Sequence, residues 1–307
     1  MSIKRIVSFL PSATELLYEL GVENKLFGVT HECKYPEDAK KKIQVINSVI
    51  NSDKLTSIEI DTKTCQLLNE GKEIFILNEK NILKANPDLI ISQEICEACA
   101  AYTSHVNRAI QILEKKPIVY LMNPHNLQEI LESVKDIGKI IGKEKQANMI
   151  IESLEKRISK IKDISHQKKK KILAIEWIEP FFTAGHWIPE MIKDAGGENM
   201  ISKTGEHSRK LNIEEILEID PDIIIMMPCG FDIFRTISEY KKILKNNKLW
   251  NTLNAVKNKK VFAVDADSYF SKPSIRTVTG LEILAKIIQP EKFLNIIIPT
   301  NSFVNLK

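Results

Sequence analysis

The stretch Asn86-Pro87-Asp88-Leu89-Ile90-Ile91 occurs a second time in the chain, as Asp220-Pro221-Asp222-Ile223-Ile224-Ile225. In each copy a Pro-Asp pair, which is typical of a turn, leads into an uninterrupted apolar run. Such runs are typical of strands buried on both faces of a parallel sheet that is covered by helices. The two copies therefore predict an α/β fold with two similar lobes, each built on its own parallel sheet.

The elements predicted around the two copies divide the chain into three parts. We expect an N-terminal α/β lobe over residues 1–126, a linking helix over 127–167 and a C-terminal α/β lobe over 168–307. A length of 307 residues suits two lobes of about 150 residues each. Because ligands bind beyond the carboxyl ends of the strands in such sheets, we expect a ligand cleft between the lobes.

Composition excludes several classes of function. The chain is 43% hydrophobic and 27% charged, with a net charge of +4, and its lysine runs are not interleaved with aromatic residues as in a nucleic-acid-binding stripe. No apolar run is long enough for membrane insertion. No signal sequence is visible, so we expect a cytoplasmic protein as written, or an extracytoplasmic one if an export signal was removed.

Four cysteines follow predicted strands. They are Cys33, Cys96, Cys99 and Cys229, with Cys96 and Cys99 spaced as a Cys-x-x-Cys pair. Four thiolates meeting in one place would suit zinc or an iron–sulfur cluster. A structural zinc site usually pairs two such knuckles, however, and this chain has one. Buried or cleft-lining thiols without metal are the alternative.

Aromatic residues crowd the predicted strand-end loops of the second lobe. They are Trp177, Phe181, Phe182, Trp187, Phe231, Tyr269 and Phe270, with Tyr35 and Tyr102 as counterparts in the first lobe. Packing between lobes would explain a few such rings. This number favours a wall for a large, flat organic ligand such as a tetrapyrrole.

Polar candidates lie beside the aromatic ones. The segment Pro11-Ser12-Ala13-Thr14 precedes a predicted helix, where its hydroxyl groups either cap the helix or contact an anionic or carbonyl group of a ligand. His31, next to Glu32, and His186 could each bind a metal through an imidazole. Arg276 could pair with a propionate, an amide or a phosphate.

Several segments resemble one known family. These are Arg5–Glu15, Gly28–Pro36, Pro180–Gly185, Gly196–Asn199 and Ser271–Arg276. Together they resemble the class III substrate-binding proteins of ABC transporters, and within these the cobalamin-binding branch. The resemblance implies two Rossmann-like lobes joined by a single long helix, cobalamin as the ligand and a membrane ABC importer as the partner. Related family members carry haem or iron siderophores.

The resulting hypothesis is a protein that binds a corrinoid in the cleft, for uptake or for intracellular delivery. The chain has no Gly-x-Ser-x-Gly elbow, P-loop or dinucleotide fingerprint, and its acidic residues are spread as in solvated loops, so we do not expect an enzyme. Two alternatives stay open. One is a cysteine-ligated metal, iron–sulfur or redox-sensing module, and the other is a haem or siderophore carrier.

Overall fold

The computed structural model describes residues 2–93, 103–164 and 169–306. The chain forms two compact units. The first contains Met1–Leu55, Thr62–Pro124 and Gln128–Glu152, and the second contains Thr56–Asp61, His125–Leu127 and Ser153–Lys307. Both units have the α/β architecture expected from the sequence. No helix within the described ranges combines the length and the apolar character needed to cross a membrane.

The first part of the chain alternates strands and helices. Its elements are β1 (Ile6–Ser8), α1 (Pro11–Glu19), β2 (Leu26–Thr30), β3 (Gln44–Ser48), α2 (Ser57–Asn69), β4 (Phe75–Leu77), α3 (Glu79–Ala85), β5 (Leu89–Gln93), α4 (Thr103–Ile112), β6 (Ile118–Met122), α5 (Leu127–Ile141) and α6 (Glu144–Ile164). The sheet has the order β4-β3-β2-β1-β5-β6. All of its neighbouring pairs are parallel except β3 and β4.

The second part repeats this alternation around a sheet of seven strands. Its elements are β7 (Lys170–Trp177), β8 (Phe181–Thr183), α7 (Ile188–Asp194), β9 (Gly197–Asn199), β10 (Lys210–Leu211), α8 (Ile213–Ile219), β11 (Ile223–Met226), α9 (Ile233–Ile243), α10 (Asn254–Lys257), β12 (Val261–Val264), α11 (Ala266–Tyr269), α12 (Thr277–Ile288) and β13 (Phe303–Asn305). The order is β10-β8-β7-β11-β12-β13, and β9 also pairs with β7. The pairs of β7 with β11, β11 with β12 and β7 with β9 are parallel.

The repeated Pro-Asp stretch has the same structural role in both units. Asn86 and Asp220 end α3 and α8 as left-handed C-caps with φ of 40° and 39°. Two residues later, Asp88 accepts hydrogen bonds from the backbone N–H groups of Lys4 and Arg5, and Asp222 accepts one from Lys171. Each aspartate thus fixes the start of the neighbouring parallel strand. The repeated stretch therefore ends a helix, forms a turn directly before a central strand, and fixes the position of the strand next to it.

Buried apolar side chains form the core of each unit, as the unbroken apolar runs predict. Leu89, Ile90 and Ile91 in β5 are 0% exposed, and so are Ile224 and Ile225 in β11. Ile90 packs in one cluster with Phe9, Val45 and Val106 of the first unit, and Ile224 packs in another with Leu173, Tyr240 and Trp250 of the second.

The segment 127–167 differs from the single linking helix that we expected. Its described residues, 127–164, form two helices, α5 and α6, because the chain turns at Gly142, whose φ is +71°. The boundary between the units falls inside α6, and the short segments Thr56–Asp61 and His125–Leu127 also group with the second unit. Several short strands, among them β8, β10 and β13, were not predicted.

Candidate functional site

The N-terminus of α1 carries the first group of candidates, and the sequence interpretation of its hydroxyls as caps is wrong. The helix starts at Pro11, so Ser12 and Thr14 lie inside its first turn, and no side chain caps it at Leu10. Ser12 is 2% exposed, and its Oγ is buried without a hydrogen-bond partner. Ala13 lies between them and is also buried. A helix start of this kind favours an anionic or carbonyl oxygen.

The residues that follow β2 bring a thiol next to this helix and carry the candidate imidazole of His31. Cys33 Sγ lies 3.1 Å from Thr14 Oγ1 and 3.4 Å from Thr30 Oγ1. Burial, the largest cause, raises the pKa of the Cys33 thiol. His31 Nδ1 is buried without a hydrogen-bond partner, and its Nε2 lies 4.0 Å from Glu32 Oε1. Tyr35, two residues beyond Cys33, is 51% exposed.

In the second unit, two candidate rings stand side by side at the carboxyl end of β7. Trp177 pairs in register with Phe182 on β8. The Trp177 ring also contacts Phe231 edge-on, with centroids 5.2 Å apart, and the guanidinium of Arg235 covers Phe231 at 3.7 Å. Lys210 Nζ lies 5.8 Å above the Phe182 ring. The result is a half-buried aromatic wall formed by Trp177 and Phe182, with Phe231 behind it.

Two other histidines of the second unit, His207 and His125, lie near His186. The His186 and His207 rings meet edge to face with centroids 5.2 Å apart, and His186 has a φ of 54°, which is uncommon outside glycine. Its Nδ1 is buried without a hydrogen-bond partner. Burial, followed by His207 and His125, lowers the pKa of His186 to about 4. This imidazole is therefore neutral at physiological pH.

The backbone around His186 is held tightly by the segment 205–209. The His186 N–H donates a hydrogen bond to the Glu206 carbonyl at 2.7 Å, and the His186 carbonyl accepts one from the Gly205 N–H at 2.9 Å. A Cβ added at Gly185 would lie 2.4 Å from the Glu206 carbonyl oxygen, so only glycine fits there. This close approach of two backbones fixes His186 in its unusual conformation.

A buried acid lies next to this turn. Glu176 accepts hydrogen bonds from the Ser208 hydroxyl and, at 3.4 Å, from the Gly185 N–H. Burial raises the pKa of Glu176 to about 6, although both hydrogen bonds lower it.

The other candidates of the second unit have mixed surroundings. Trp187 and Phe270 are 4% and 3% exposed and are joined by a hydrogen bond from Trp187 Nε1 to the Phe270 carbonyl at 3.1 Å. Phe231 is 2% exposed. These three rings lie in the interior of the unit, where they pack against protein. Tyr269 is half-buried beneath Arg276, whose Cζ lies 5.4 Å from the ring centroid.

The structure describes two of the four cysteines proposed as metal ligands. Cys96 and Cys99 lie outside the described residues. Cys33 belongs to the first unit and Cys229 to the second. Among residues 2–93, 103–164 and 169–306, no group of three or more His, Cys, Asp or Glu side chains is arranged to hold a metal ion. The four-cysteine site stays a prediction.

Comparison with known proteins adds to this geometry. Residues 6–268 match the family model described as periplasmic binding protein. The chain belongs to this family. Its members are solute-binding proteins, which agrees with a site built from aromatic rings and polar groups.

Two relatives and one solved structure are similar to this chain. The ABC transporter substrate-binding lipoprotein YvrC of Bacillus subtilis is 26% identical over 300 residues, 94% of this chain and 81% of that protein. The haem uptake protein IsdE of Staphylococcus aureus is 27% identical over 151 residues, 48% of this chain and 51% of that protein. The fold of the vitamin B12 binding protein BtuF of Vibrio cholerae matches with a TM-score of 0.69 at 19% identity, over 96% and 99% of the two chains.

Two groups of the second unit were missed by the sequence analysis. His125 and His207 join His186, but His207 lies in a polar loop with no motif around it. Glu239 and Ser57 lie behind Trp177 although they are far apart in the chain, and a helical pattern alone gives no sign of that contact.

Proposed function

We propose that this member of the periplasmic binding protein family is the substrate-binding component of an ABC importer, and that its ligand is a metal-centred tetrapyrrole. A corrinoid such as cobalamin is the first candidate. The observation that carries the proposal is His186, a neutral imidazole with a buried, unpartnered nitrogen in a fixed backbone.

A single imidazole suits this kind of ligand better than it suits a free metal ion. A bare ion needs several protein ligands, and the described residues offer no such group. A metal already held by a macrocycle needs only one axial ligand from the protein. The wall of Trp177 and Phe182, in the same unit as His186, supplies apolar faces for a flat ring system.

Haem is the second candidate. A neutral histidine is a common axial ligand of haem iron, whereas a corrinoid can be bound with its own base attached. The relative IsdE, by its name a haem uptake protein, supports this reading. The proposed location is extracytoplasmic, since YvrC is named a lipoprotein, and the expectation of a cytoplasmic protein has no support among these relatives.

The test is a visible absorption titration of purified protein with cyanocobalamin, hydroxocobalamin and haemin. We expect one of them to bind with saturable 1:1 stoichiometry and a shifted band, and His186→Ala to abolish the part of the shift that reports axial ligation. His207→Ala is the matched control, because it removes the neighbouring imidazole and leaves the proposed ligand in place.

Metal analysis of the protein as purified decides the cysteine alternative. Zinc or iron already present, and lost with Cys96→Ser, together with no response to any tetrapyrrole, would overturn the proposal. The protein would then be a cysteine-ligated metal module.

A further inference from the structure

The aromatic wall of the second unit rests on a segment from an earlier part of the chain. Trp177 Nε1 donates a hydrogen bond to the Ser57 carbonyl at 3.2 Å. Four residues after Ser57, Asp61 pairs with Lys210 at 3.6 Å, the residue that lies over Phe182. The segment Thr56–Asp61, which contains the start of α2, thus contacts Trp177 directly and Phe182 through Lys210.

A buried glutamate holds this turn. Glu239, on α9, is 8% exposed, and its Oε2 accepts hydrogen bonds from the Ser57 hydroxyl at 2.8 Å and from the Ser57 N–H at 3.3 Å. Ser57 itself is 0% exposed. One carboxyl oxygen therefore fixes both the side chain and the backbone of the residue to which the indole of Trp177 is bound.

Glu239 is not needed to start the helix. Thr56 and Glu59 already form a local capping box, in which Glu59 Oε2 accepts from the Thr56 N–H and hydroxyl at 2.8 Å, and Thr56 Oγ1 accepts from the Glu59 N–H at 3.4 Å. Glu239 is a second acceptor, which is buried and belongs to a helix far away in the sequence. It therefore fixes the position of the start of α2 and is not needed for that helix to form. Removing this carboxyl group leaves the buried N–H and hydroxyl of Ser57 without an acceptor. Because a buried donor without a partner is costly, we expect the start of α2 to move.

We propose that Glu239 is a positioning residue for ligand binding, which acts through Ser57 to hold Trp177 in the orientation that meets the flat face of the ligand. This deepens the proposed function and rests on it for the nature of the ligand. The link from Glu239 to Trp177 is a property of the free protein and is measurable without any ligand.

The chain offers a spectroscopic readout, because its three tryptophans have three different indole environments. Trp177 donates to Ser57, Trp187 donates to Phe270 at 3.1 Å, and Trp250 Nε1 is buried without a hydrogen-bond partner. A ¹H–¹⁵N correlation spectrum resolves one indole signal for each, and Trp177→Phe assigns the first.

We expect Glu239→Ala to shift the Trp177 indole signal and to leave those of Trp187 and Trp250 in place. Glu239→Gln, which keeps an acceptor oxygen, should restore the signal. The affinity for whichever of cyanocobalamin or haemin the wild type binds should fall about tenfold in the alanine variant, equivalent to about 1.4 kcal/mol, and recover in the glutamine variant.

Glu215→Ala is the matched control. Glu215 also accepts a hydrogen bond from a backbone N–H at a helix start, that of Asn212, and its side chain pairs with Arg209. The Glu215→Ala variant should leave all three indole signals and the ligand affinity unchanged. If Glu239→Ala does not fold, Ser57→Ala deletes only the 2.8 Å contact and should move the same signal by a smaller amount.

Two results would overturn the inference. One is a Trp177 signal that stays in place in both Glu239→Ala and Ser57→Ala. The other is a common shift of all three indole signals, which would mean a general loosening of the unit. If the wild type binds neither probe, the proposed function fails, whereas the indole signals still decide whether Glu239 positions Trp177.

Discussion

Replacing His186 by asparagine should remove much of the acid sensitivity of this protein. The imidazole is held neutral by burial and by two neighbouring histidines, which lower its pKa to about 4 from an ordinary value of 6.5. Asparagine is a suitable substitute, because it tolerates the left-handed φ of 54° at this position better than most residues do.

The direction follows from linkage between protonation and folding. A histidine with a lowered native pKa contributes stability that is complete above the pKa of the unfolded chain, falls as the pH drops below that value and is fully lost below the native pKa. With 6.5 in the unfolded chain and about 4 in the native one, the unfolded state gains about 2 kcal/mol between pH 7 and pH 5 from this group.

Urea denaturation at the two pH values measures this term. The free energy of unfolding of the wild type should fall between pH 7 and pH 5 by about 2 kcal/mol more than that of His186→Asn, because the contributions of the other titrating groups cancel in the comparison. His207→Asn is the control. Burial is the largest cause of the lowered pKa of His186, so this variant should keep most of the wild-type pH dependence.

Equal losses of stability in wild type and His186→Asn would refute the reasoning. The imidazole would then be readily protonated in the folded protein, and the argument that it stands ready as a neutral metal ligand would fail as well.

Three further predictions concern the two residues that hold the turn at His186 and the two candidate cysteines that the structure describes. Glu176→Gln should become more stable relative to wild type, by about 2 kcal/mol in urea denaturation, as the pH rises from 4.5 through 6. The pKa of Glu176 is raised in the folded protein, so ionisation of this acid disfavours the folded state. A stability difference that does not change with pH would contradict this. Gly185→Ala should cost about 1–3 kcal/mol of stability in thermal or urea unfolding, since its Cβ would meet the Glu206 carbonyl oxygen at 2.4 Å, and wild-type stability would show that the two backbones separate easily. In native protein, iodoacetamide should label the half-buried Cys229 well before the buried Cys33, whose thiol pKa is raised, as read by peptide mass spectrometry; similar rates would mean that the end of β2 opens readily.

The sequence predicted the central strands well because their signal is local and strong. Apolar runs behind Pro-Asp turns correctly indicated β5 and β11. Short antiparallel strands such as β8 and β13 were not predicted. Each of these strands has three residues, which is too short to show a periodic pattern. Each forms because it pairs with a neighbouring strand.

The candidate site was less accessible to prediction, because it depends on contacts between distant segments. His186 was nominated from the sequence, but the neighbours that set its pKa come from residues 125 and 207. The rings of Trp187, Phe231 and Phe270 were expected to line a ligand site and lie instead in the interior. Composition and strand-end position cannot separate a ring that lines a site from one that supports it.

Buried polar atoms without partners give an argument that is independent of any relative. Ser12 Oγ, His31 Nδ1 and His186 Nδ1 are all of this kind, and all three residues were nominated as ligand contacts from the sequence alone. Leaving such an atom unsatisfied costs about 1–3 kcal/mol, a large sum for a fold of marginal stability. Within each unit, a ligand group that supplied the missing partner would recover this energy, so we expect substitution of any one of the three residues to weaken ligand binding if that residue contacts the ligand.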